Sequence, residues 1–388
     1  MAGMGEILRM RNPIQHYAWG SREVLARLQG RPVPSPEPEA ELWAGAHPGA
    51  PSVVLVDGRE QPLDRLVEQD PERFLPTAGH GEGLPFLLKI LAIDAPLSIQ
   101  VHPSPQQARE GFEREERAGI PRDAPERNYK DRSAKPETVV ALTDVELLTG
   151  VQPAERLAAT AARMGLAWLR DALRAGGPVL HAVLGLPDDA ARAAVETTLA
   201  AARAAGPADP VARLVRYVED RHPGDRGLLV AVCMNHVRLA PGRSLHTPAG
   251  QLHAYLSGTA IEVMSSSDNV LRAGLTGKHV DVAELLSVLA PEQAAPEVVD
   301  PSAAEDGRRV YPLWDDRLAL VAHELAPGRP ARHELRGTAV LLAAAGHAVV
   351  RAPGGTWELG GGESLLHCGD PTAVELTGDA TLFTVSCV

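Results

Sequence analysis

Residues 245–282 have the sequence LHTPAGQLHAYLSGTAIEVMSSSDNVLRAGLTGKHVDV, and this stretch is the one on which the fold and the function depend. Short apolar runs alternate with Pro-Ala-Gly and Ser-Gly-Thr breaks, a pattern typical of strands joined by tight turns. His253, Glu262 and Arg272 lie within or beside these runs. A simple core would not hold so many polar groups, because burying an unpaired polar group is costly. The stretch therefore predicts a strand–turn–strand unit whose inner face lines a site.

Length and composition set the class of protein. The chain has 388 residues, 44 % of them hydrophobic and 23 % charged, with a formal net charge of −12. These values predict a soluble globular protein of two or three domains. The acidic balance is evidence against a nucleic-acid partner, which normally requires a basic surface. It is compatible with an anionic small substrate, because a few local Lys and Arg side chains bind phosphate even in an acidic protein.

Cysteine usage and hydropathy indicate the compartment. The three cysteines, Cys233, Cys368 and Cys387, form no Cys-x-x-Cys pair, so neither a disulfide framework nor a thiolate zinc site is indicated. Residues 1–10 have too little apolar sequence for a signal peptide. No window approaches the ~18 apolar residues of a transmembrane helix. We therefore expect a cytoplasmic protein without a membrane partner.

A second informative block, residues 85–103, has the sequence PFLLKILAIDAPLSIQVHP. Lys89 lies in the middle of its first apolar run, and a buried unpaired charge is so costly that Lys89 must find an anion or a carboxylate. Gln100 and His102 lie two residues apart at the end of the second run, so a strand would present both on one face. That is the spacing needed to hold one metal ion. Taken alone it is a weak indication, since Gln is an uncommon zinc ligand.

The rest of the chain separates into regions of different character. Residues 151–223 have apolar residues at three- and four-residue steps between Gly and Pro breaks, which predicts about five amphipathic helices with no chemistry of their own. Residues 227–239 return to strand-like alternation. Residues 308–388 predict many short strands of a small β-sandwich or jelly roll, with one turn at Gly346. We interpret its histidines as structural or surface residues, and His47, before Pro48, as a loop residue bonded to backbone.

Together these motifs resemble the zinc-dependent type I mannose-6-phosphate isomerases (phosphomannose isomerases). The resemblance is carried by Pro-Ala-Gly-x-x-His-Ala-Tyr-Leu-x-Gly, Ser-Asp-Asn-Val and Arg-Ala-Gly within residues 245–282, by Ser-Ile-Gln-x-His-Pro at 98–103, and by Lys-Pro-Glu at 135–137. It implies a mainly β fold of two cupin-like jelly-roll β-sandwiches (a bicupin) with a helical insertion. The expected domains are a discontinuous catalytic jelly roll of residues 1–150 and 224–290, a helical insertion of residues 151–223, and a C-terminal β-sandwich or jelly roll of residues 305–388.

The resemblance also implies an activity and a site. The activity is the reversible aldose–ketose isomerisation of mannose 6-phosphate and fructose 6-phosphate through a cis-enediol, in a monomer or weak homo-oligomer. One Zn²⁺ per chain is expected, and an N/O ligand set suits that metal. The implied ligands are Gln100, His102, Glu137 and His253. Arg272 is expected to stabilise the enediolate, and Lys135 and Glu262 are the candidates for proton transfer. The candidate ligands of the substrate phosphate are Lys89, Ser98 and Lys278.

Two positions depart from the family pattern. Ala134 stands where the family usually has His before the Lys-Pro-Glu motif, so an acid–base role of that histidine cannot be carried over. Gly277 stands where the family usually has Pro, which predicts a looser placement of Lys278.

Two other functions stay open from the sequence. Two His and one carboxylate also form the facial triad of a cupin-type Fe(II) oxygenase. The additional Gln, the lysines and the arginine favour a phosphorylated polar substrate over an oxygenase. The second alternative is a non-catalytic cupin that binds sugar phosphates, against which the complete set of metal ligands is evidence.

Overall fold

The computed structural model describes residues 5–75, 83–303 and 307–387. Of the predicted domains, residues 1–4, 76–82, 305, 306 and 388 therefore lie outside the described residues. The strands are β1 (Glu6–Arg11), β2 (Ile14–Gln15), β3 (Glu41–Ala44), β4 (Val53–Val56), β5 (Arg59–Pro62), β6 (Leu87–Ile93), β7 (Ile99–Val101), β8 (Glu137–Ala141), β9 (Val145–Val151), β10 (Met234–Leu239), β11 (Ser244–Thr247), β12 (His253–Met264), β13 (Leu271–Gly274), β14 (Val298–Val299), β15 (Ser302–Ala303), β16 (Arg309–Tyr311), β17 (Leu318–Leu325), β18 (Ala331–Leu335), β19 (Ala339–Ala352), β20 (Gly355–Gly360), β21 (Ser364–Cys368) and β22 (Thr372–Cys387).

The helices are α1 (Val24–Leu28), α2 (Leu63–Gln69), α3 (Pro71–Phe74), α4 (Pro105–Arg117), α5 (Ala154–Met164), α6 (Ala167–Arg174), α7 (Val179–Leu184), α8 (Asp188–Ala205), α9 (Pro210–Glu219), α10 (Gly227–Cys233) and α11 (Val282–Val288). None of the helices in the described part of the chain is long and apolar enough to cross a membrane. The predicted mainly β fold with a helical insertion is confirmed.

Two antiparallel sheets form the framework. The first sheet has the strand order β14-β11-β8-β12-β6-β3-β2, and β12 also pairs with β7 and with β9. In turn, β13 pairs with β7 and β10 pairs with β9. The second sheet has the order β15-β16-β17-β22-β19-β21-β1-β4-β5, with β18 on β22 and β20 on β19. The chain therefore begins in the second sheet, because β1 pairs with β21 near the C-terminus. The division into domains stays a prediction.

The apolar core between the two sheets determines which face of the first sheet is left for the site. Leu88 and Ile90 of β6 are fully buried in one apolar cluster with Leu366 and Val385 of the second sheet. Successive side chains of a strand point to opposite faces. Lys89 therefore points away from the second sheet, to the face of the first sheet that lines a cavity.

The helical insertion packs on strands β9 and β12 of the first sheet. Five helices, α5–α9, fill residues 154–219, as predicted. Their apolar faces share a core with Leu148 of β9 and with Ala254 and Leu256 of β12. The insertion is thus attached to the strand that carries His253.

Two predictions of local structure are wrong. Residues 227–233, predicted as strand, form α10; all seven residues are apolar or Gly and all are buried, so no periodicity distinguishes helix from strand. The predicted turn at Gly346 lies within β19, a continuous strand of 14 residues. Gly346 has a φ of 72°, and this left-handed conformation, which favours glycine, lets the paired strand continue through the position.

Candidate functional site

Strand register brings together polar residues that are far apart in the sequence. Glu262 of β12 lies directly opposite Lys89 of β6. Nearer the start of β12, His253 pairs with Gln100 of β7, and Gln100 pairs on its other side with Arg272 of β13. Side chains of all five residues line one cavity of about 590 Å³. Lys135 and Glu137 line the same cavity, so the structure places predicted residues from 85–103, 135–137 and 245–282 around a single space.

Two imidazoles and one carboxylate form a buried group at this site, and Glu137 and His253 of this group line the cavity. Ligand atoms of His102, Glu137 and His253 all lie within 4.8 Å of one another. Nε2 of His102 lies 3.3 Å from one carboxylate oxygen of Glu137, and Nε2 of His253 lies 3.2 Å from the other. The three residues are only 1–3 % exposed. These three side chains could together hold a metal ion.

The second ring nitrogens show that this group fits a metal. Nδ1 of His102 lies 2.8 Å from the carbonyl oxygen of Asn269, and Nδ1 of His253 lies 3.2 Å from that of Gln251. A carbonyl oxygen only accepts, so each Nδ1 donates and, in a neutral ring, each Nε2 presents a lone pair. Nε2 of His102 is buried without a hydrogen-bond partner among the described residues. Two lone pairs aimed at a carboxylate repel it unless a cation lies between them, and this orientation of ligating histidines is usual at zinc sites.

Electrostatics favours the protonation states that metal ligands need. Burial, with a smaller effect of the Lys135 ammonium, lowers the pKa of His102 to about 4, so the ring is neutral at pH 7. Burial alone would raise the pKa of Glu137. Lys135, whose Nζ lies 2.6 Å from Oε1 of Glu137, and then His102 hold that pKa well below its ordinary value. The group is therefore ready to bind a cation near neutral pH.

Gln100 adds an amide oxygen. Its Nε2 donates a hydrogen bond to Oγ of Ser98 at 3.0 Å, which leaves Oε1 as the acceptor available to the cavity. Ser98, a predicted phosphate ligand, is therefore in direct contact with a predicted metal ligand.

Lys89 lies between two buried carboxylates. Its Nζ is 3.1 Å from Glu262 and 3.2 Å from Glu41, and it lies 4.9 Å from the ring centroid of Trp43. Burial would lower the pKa of Lys89, but the two carboxylates raise it above its ordinary value. The predicted need of Lys89 for a carboxylate is confirmed. Glu41 was not among the predicted site residues, because only the pairing of β3 with β6 shows that it is near.

Arg272, Lys278 and Lys130 also line the cavity. Within the described residues, no carboxylate lies within 4 Å of the side-chain nitrogens of Arg272, Lys278 or Lys130. Burial lowers the pKa of Arg272. Burial, then Arg272 and Lys130, lower the pKa of Lys278. Unpaired cations that repel one another in a cavity form a site for an anion. Lys130 was not predicted, since the sequence around it is a charged loop without a distinctive pattern.

His47 and Asp268 form a pair in the cavity wall. Nδ1 of His47 accepts a hydrogen bond from the backbone N–H of Gly49, as predicted for a loop histidine. Its Nε2 lies 3.4 Å from Oδ1 of Asp268. Burial would raise the pKa of Asp268, but the hydrogen bond from His47 and the nearby cations, led by Lys130, lower it to about 2. Both side chains line the cavity.

Comparison with known proteins identifies the family. Residues 7–154 match the family described as phosphomannose isomerase type I, catalytic domain. The chain is 34 % identical over 386 residues to the mannose-6-phosphate isomerase of Salmonella typhimurium, covering 96 % of this chain and 97 % of the relative. The chain belongs to the type I phosphomannose isomerase family. The mannose-6-phosphate isomerase of Escherichia coli is also 34 % identical, with the same coverage.

Solved structures of phosphomannose isomerases have the same fold. The mannose 6-phosphate isomerase of Salmonella typhimurium bound to fructose 6-phosphate and zinc has a TM-score of 0.88 and 32 % identity, covering 98 % of this chain and 99 % of that chain. A zinc-bound holo mannose 6-phosphate isomerase gives the same values. This likeness confirms the predicted cupin-like fold and the predicted family.

Proposed function

We propose that this phosphomannose isomerase family member interconverts mannose 6-phosphate and fructose 6-phosphate through a cis-enediol. The observation that carries the proposal is that Glu137 and His253 of the buried His–Glu–His group line one cavity with Arg272, whose guanidinium has no carboxylate partner among the described residues. The relatives named above carry this activity in their names, and one of them is bound to fructose 6-phosphate.

We propose one zinc ion per chain. The proposed ligands are Gln100, His102, Glu137 and His253. The directed lone pairs of both imidazoles and the ionised carboxylate suit zinc. When bound, zinc supplies a Lewis acid that polarises the sugar oxygens and stabilises their developing negative charge.

The side chains around the ligands are proposed to move the protons. Transfer of a proton between C1 and C2 requires a base beside the carbons and a donor beside the oxygens. Nζ of Lys135 donates a hydrogen bond to Oε1 of Glu137, beside the proposed metal ligands. Burial raises the pKa of Glu262, although Lys89 opposes this, and brings that carboxylate closer to the pH at which a base is effective. Because Ala134 has no ionisable side chain, we assign proton transfer to Lys135 and Glu262.

Arg272 is proposed to stabilise the enediolate. Its guanidinium is half-buried, has no carboxylate partner among the described residues, and lies beside Gln100 in strand register. A fixed cation in a partly desolvated site acts more strongly on developing charge than it would in water.

The phosphate is proposed to bind among Lys89, Ser98 and Lys278. Of these, Lys278 is best placed, because it is exposed, faces the cavity and has no carboxylate partner in the described chain. The charge of Lys89 is already balanced by two carboxylates.

For partners and location we propose a phosphorylated hexose as ligand, no nucleic acid and no membrane, in a cytoplasmic monomer or weak homo-oligomer. The formal net charge of −12 supports the exclusion of nucleic acid. The three cysteines are buried free thiols, which supports a reducing compartment.

The test is conversion of mannose 6-phosphate by the purified protein before and after chelation, with zinc content measured in each sample. We expect activity to disappear with the chelator and to return with zinc. His253→Ala should lose both zinc and activity, and the matched control His246→Ala, which changes an exposed imidazole of β11, should keep both. A folded, zinc-loaded protein without isomerase activity would contradict the proposal and favour a sugar-phosphate sensor. Retention of iron with oxygen consumption would indicate an oxygenase.

A further inference from the structure

The helical insertion reaches the cavity, although the sequence predicted no chemistry for it. Just after the end of α9, Arg221 and His222 line the cavity together with Lys278 and with residues 95–98. The wall of the cavity is thus partly built by the insertion.

Two hydrogen bonds hold this part of the insertion against the site. The hydroxyl of Tyr217, in α9, donates to the carbonyl oxygen of Leu256, three residues after His253 on β12. Nε2 of His222 donates to the carbonyl oxygen of Pro96 at 3.1 Å, in the loop that leads to Ser98. The insertion is therefore anchored to two of the segments that carry predicted site residues.

Between the two anchors, Arg221 stacks on Tyr217, with its Cζ 4.2 Å from the ring centroid. Stacking of a guanidinium on an aromatic face restricts its orientation. Among the described residues, no carboxylate lies within 4 Å of Arg221. Its charge is consequently available to a ligand in the cavity.

The shape of the substrate determines which part of it Arg221 faces. A hexose 6-phosphate has its reacting carbons at one end and its phosphate at the other. The metal-ligand group is almost completely buried, whereas Arg221 and Lys278 are exposed residues of the cavity lining. With the reacting end at the buried group, the phosphate extends towards these two cations.

We propose that Arg221 is a specificity-determining residue that binds the phosphate of the substrate, so that the helical insertion contributes to substrate selection. This inference rests on the proposed function. The planar fork of a guanidinium matches two phosphate oxygens at once, and a stacked side chain loses less entropy when it binds. The insertion thereby distinguishes phosphorylated from free hexoses.

The test compares Arg221→Ala and Arg221→Lys with the zinc-loaded wild type. The matched control is Arg213→Ala, which changes an exposed arginine of α9 that does not line the cavity. For Arg221→Ala we expect KM for fructose 6-phosphate to rise about fivefold, because one charged hydrogen-bond donor is lost at an exposed site. We expect kcat to stay within about twofold of the wild-type value. The KM of Arg221→Lys should lie between those of the wild type and Arg221→Ala, and the KM of Arg213→Ala should match that of the wild type.

Calorimetric titration of inorganic phosphate into the same zinc-loaded proteins gives a readout without turnover. We expect phosphate affinity to fall in Arg221→Ala in parallel with the change in KM. The wild type could catalyse no isomerisation while Arg221→Ala still bound phosphate more weakly than the wild type. That result would contradict the proposed function and would support the anion site at Arg221. Values of KM and phosphate affinity within twofold of the wild type in Arg221→Ala would overturn the inference.

Discussion

Nζ of Lys89 lies 3.1 Å from Oε2 of Glu262, and both side chains are almost completely buried. The pair is directly opposite in the register of β6 and β12, and Glu41 completes it from β3. A buried ion pair is weak evidence for stability, but removal of one partner leaves an uncompensated buried charge. Lys89 therefore has a structural role that is independent of any contact with substrate.

Replacement of Lys89 by Met should destabilise the protein strongly. Two buried carboxylates would lose their cation, and we expect the free energy of unfolding at pH 8 to fall by about 3–5 kcal/mol. Urea unfolding at fixed zinc concentration measures this loss. The control Lys278→Met removes an exposed cation and should change stability by less than about 0.5 kcal/mol.

The loss in Lys89→Met should also depend on pH. Burial already raises the pKa of Glu262 in the folded protein, and Lys89 opposes that rise. Without Lys89, the folded state binds a proton that the unfolded state releases, so stability falls as pH rises from the unfolded to the folded pKa. The variant should therefore lose less stability at pH 5 than at pH 8. An equal loss at both pH values would show that the lysine acts only through packing.

His47→Phe should raise the pKa of Asp268. The ring at position 47 is kept, but the group that helps to hold the pKa of Asp268 at about 2 is removed, so the pKa should move towards 3.8. A carboxylate with a depressed folded pKa stabilises the protein above its unfolded pKa, and this contribution is lost as pH falls through the folded value. Asp268 is half exposed, so the effect on stability should be below about 1 kcal/mol.

Carboxyl NMR titration of Asp268 checks this prediction. His246→Phe serves as the control, because His246 lies on β11 and contacts Thr138 instead. An unchanged titration of Asp268 in His47→Phe would mean that the lysines of the cavity alone set its pKa.

Arg272→Met should lower kcat with little effect on folding. The guanidinium has no carboxylate partner to leave unpaired in the described part of the chain, so stability should be kept. If it stabilises the enediolate, its removal should reduce kcat about 100-fold, the usual effect of losing one donor to a developing oxyanion. Arg272→Lys should recover part of the activity, and Arg238→Met, an exposed arginine of β10, should keep all of it. A kcat within tenfold of the wild type in Arg272→Met would place Arg272 away from the reacting atoms.

The sequence predicted those features that depend on local spacing. Gln100 and His102 lie two residues apart at the end of β7, and the cost of a buried charge predicted that Lys89 has a carboxylate partner. Which carboxylates these are depends on strand register, and Glu41 and Glu262 reach Lys89 from strands on either side of β6. Local patterns do not contain that information.

The same limit applies to the helices. The apolar run 227–233 has no polar residue from which to read a period, so its helical state depends on packing against the insertion. Arg221 follows an ordinary amphipathic helix, and only the hydrogen bonds of Tyr217 and His222 to the site segments bring it to the cavity. Residues that act through tertiary placement have no distinctive sequence pattern.

A chain truncated after Val299 should not fold cooperatively. β1 pairs with β21 over residues 6–10, and the faces of Leu88 and Ile90 are covered by the second sheet. Truncation would expose this apolar surface, whose burial contributes about 25 cal/mol per Å². We expect the truncated chain to bind a hydrophobic dye and to unfold without a sharp transition. Addition of the separate fragment 300–388 should restore the transition, because it supplies the missing strands. A truncated monomer that unfolds cooperatively and binds zinc would instead show that the catalytic jelly roll folds independently of the C-terminal strands.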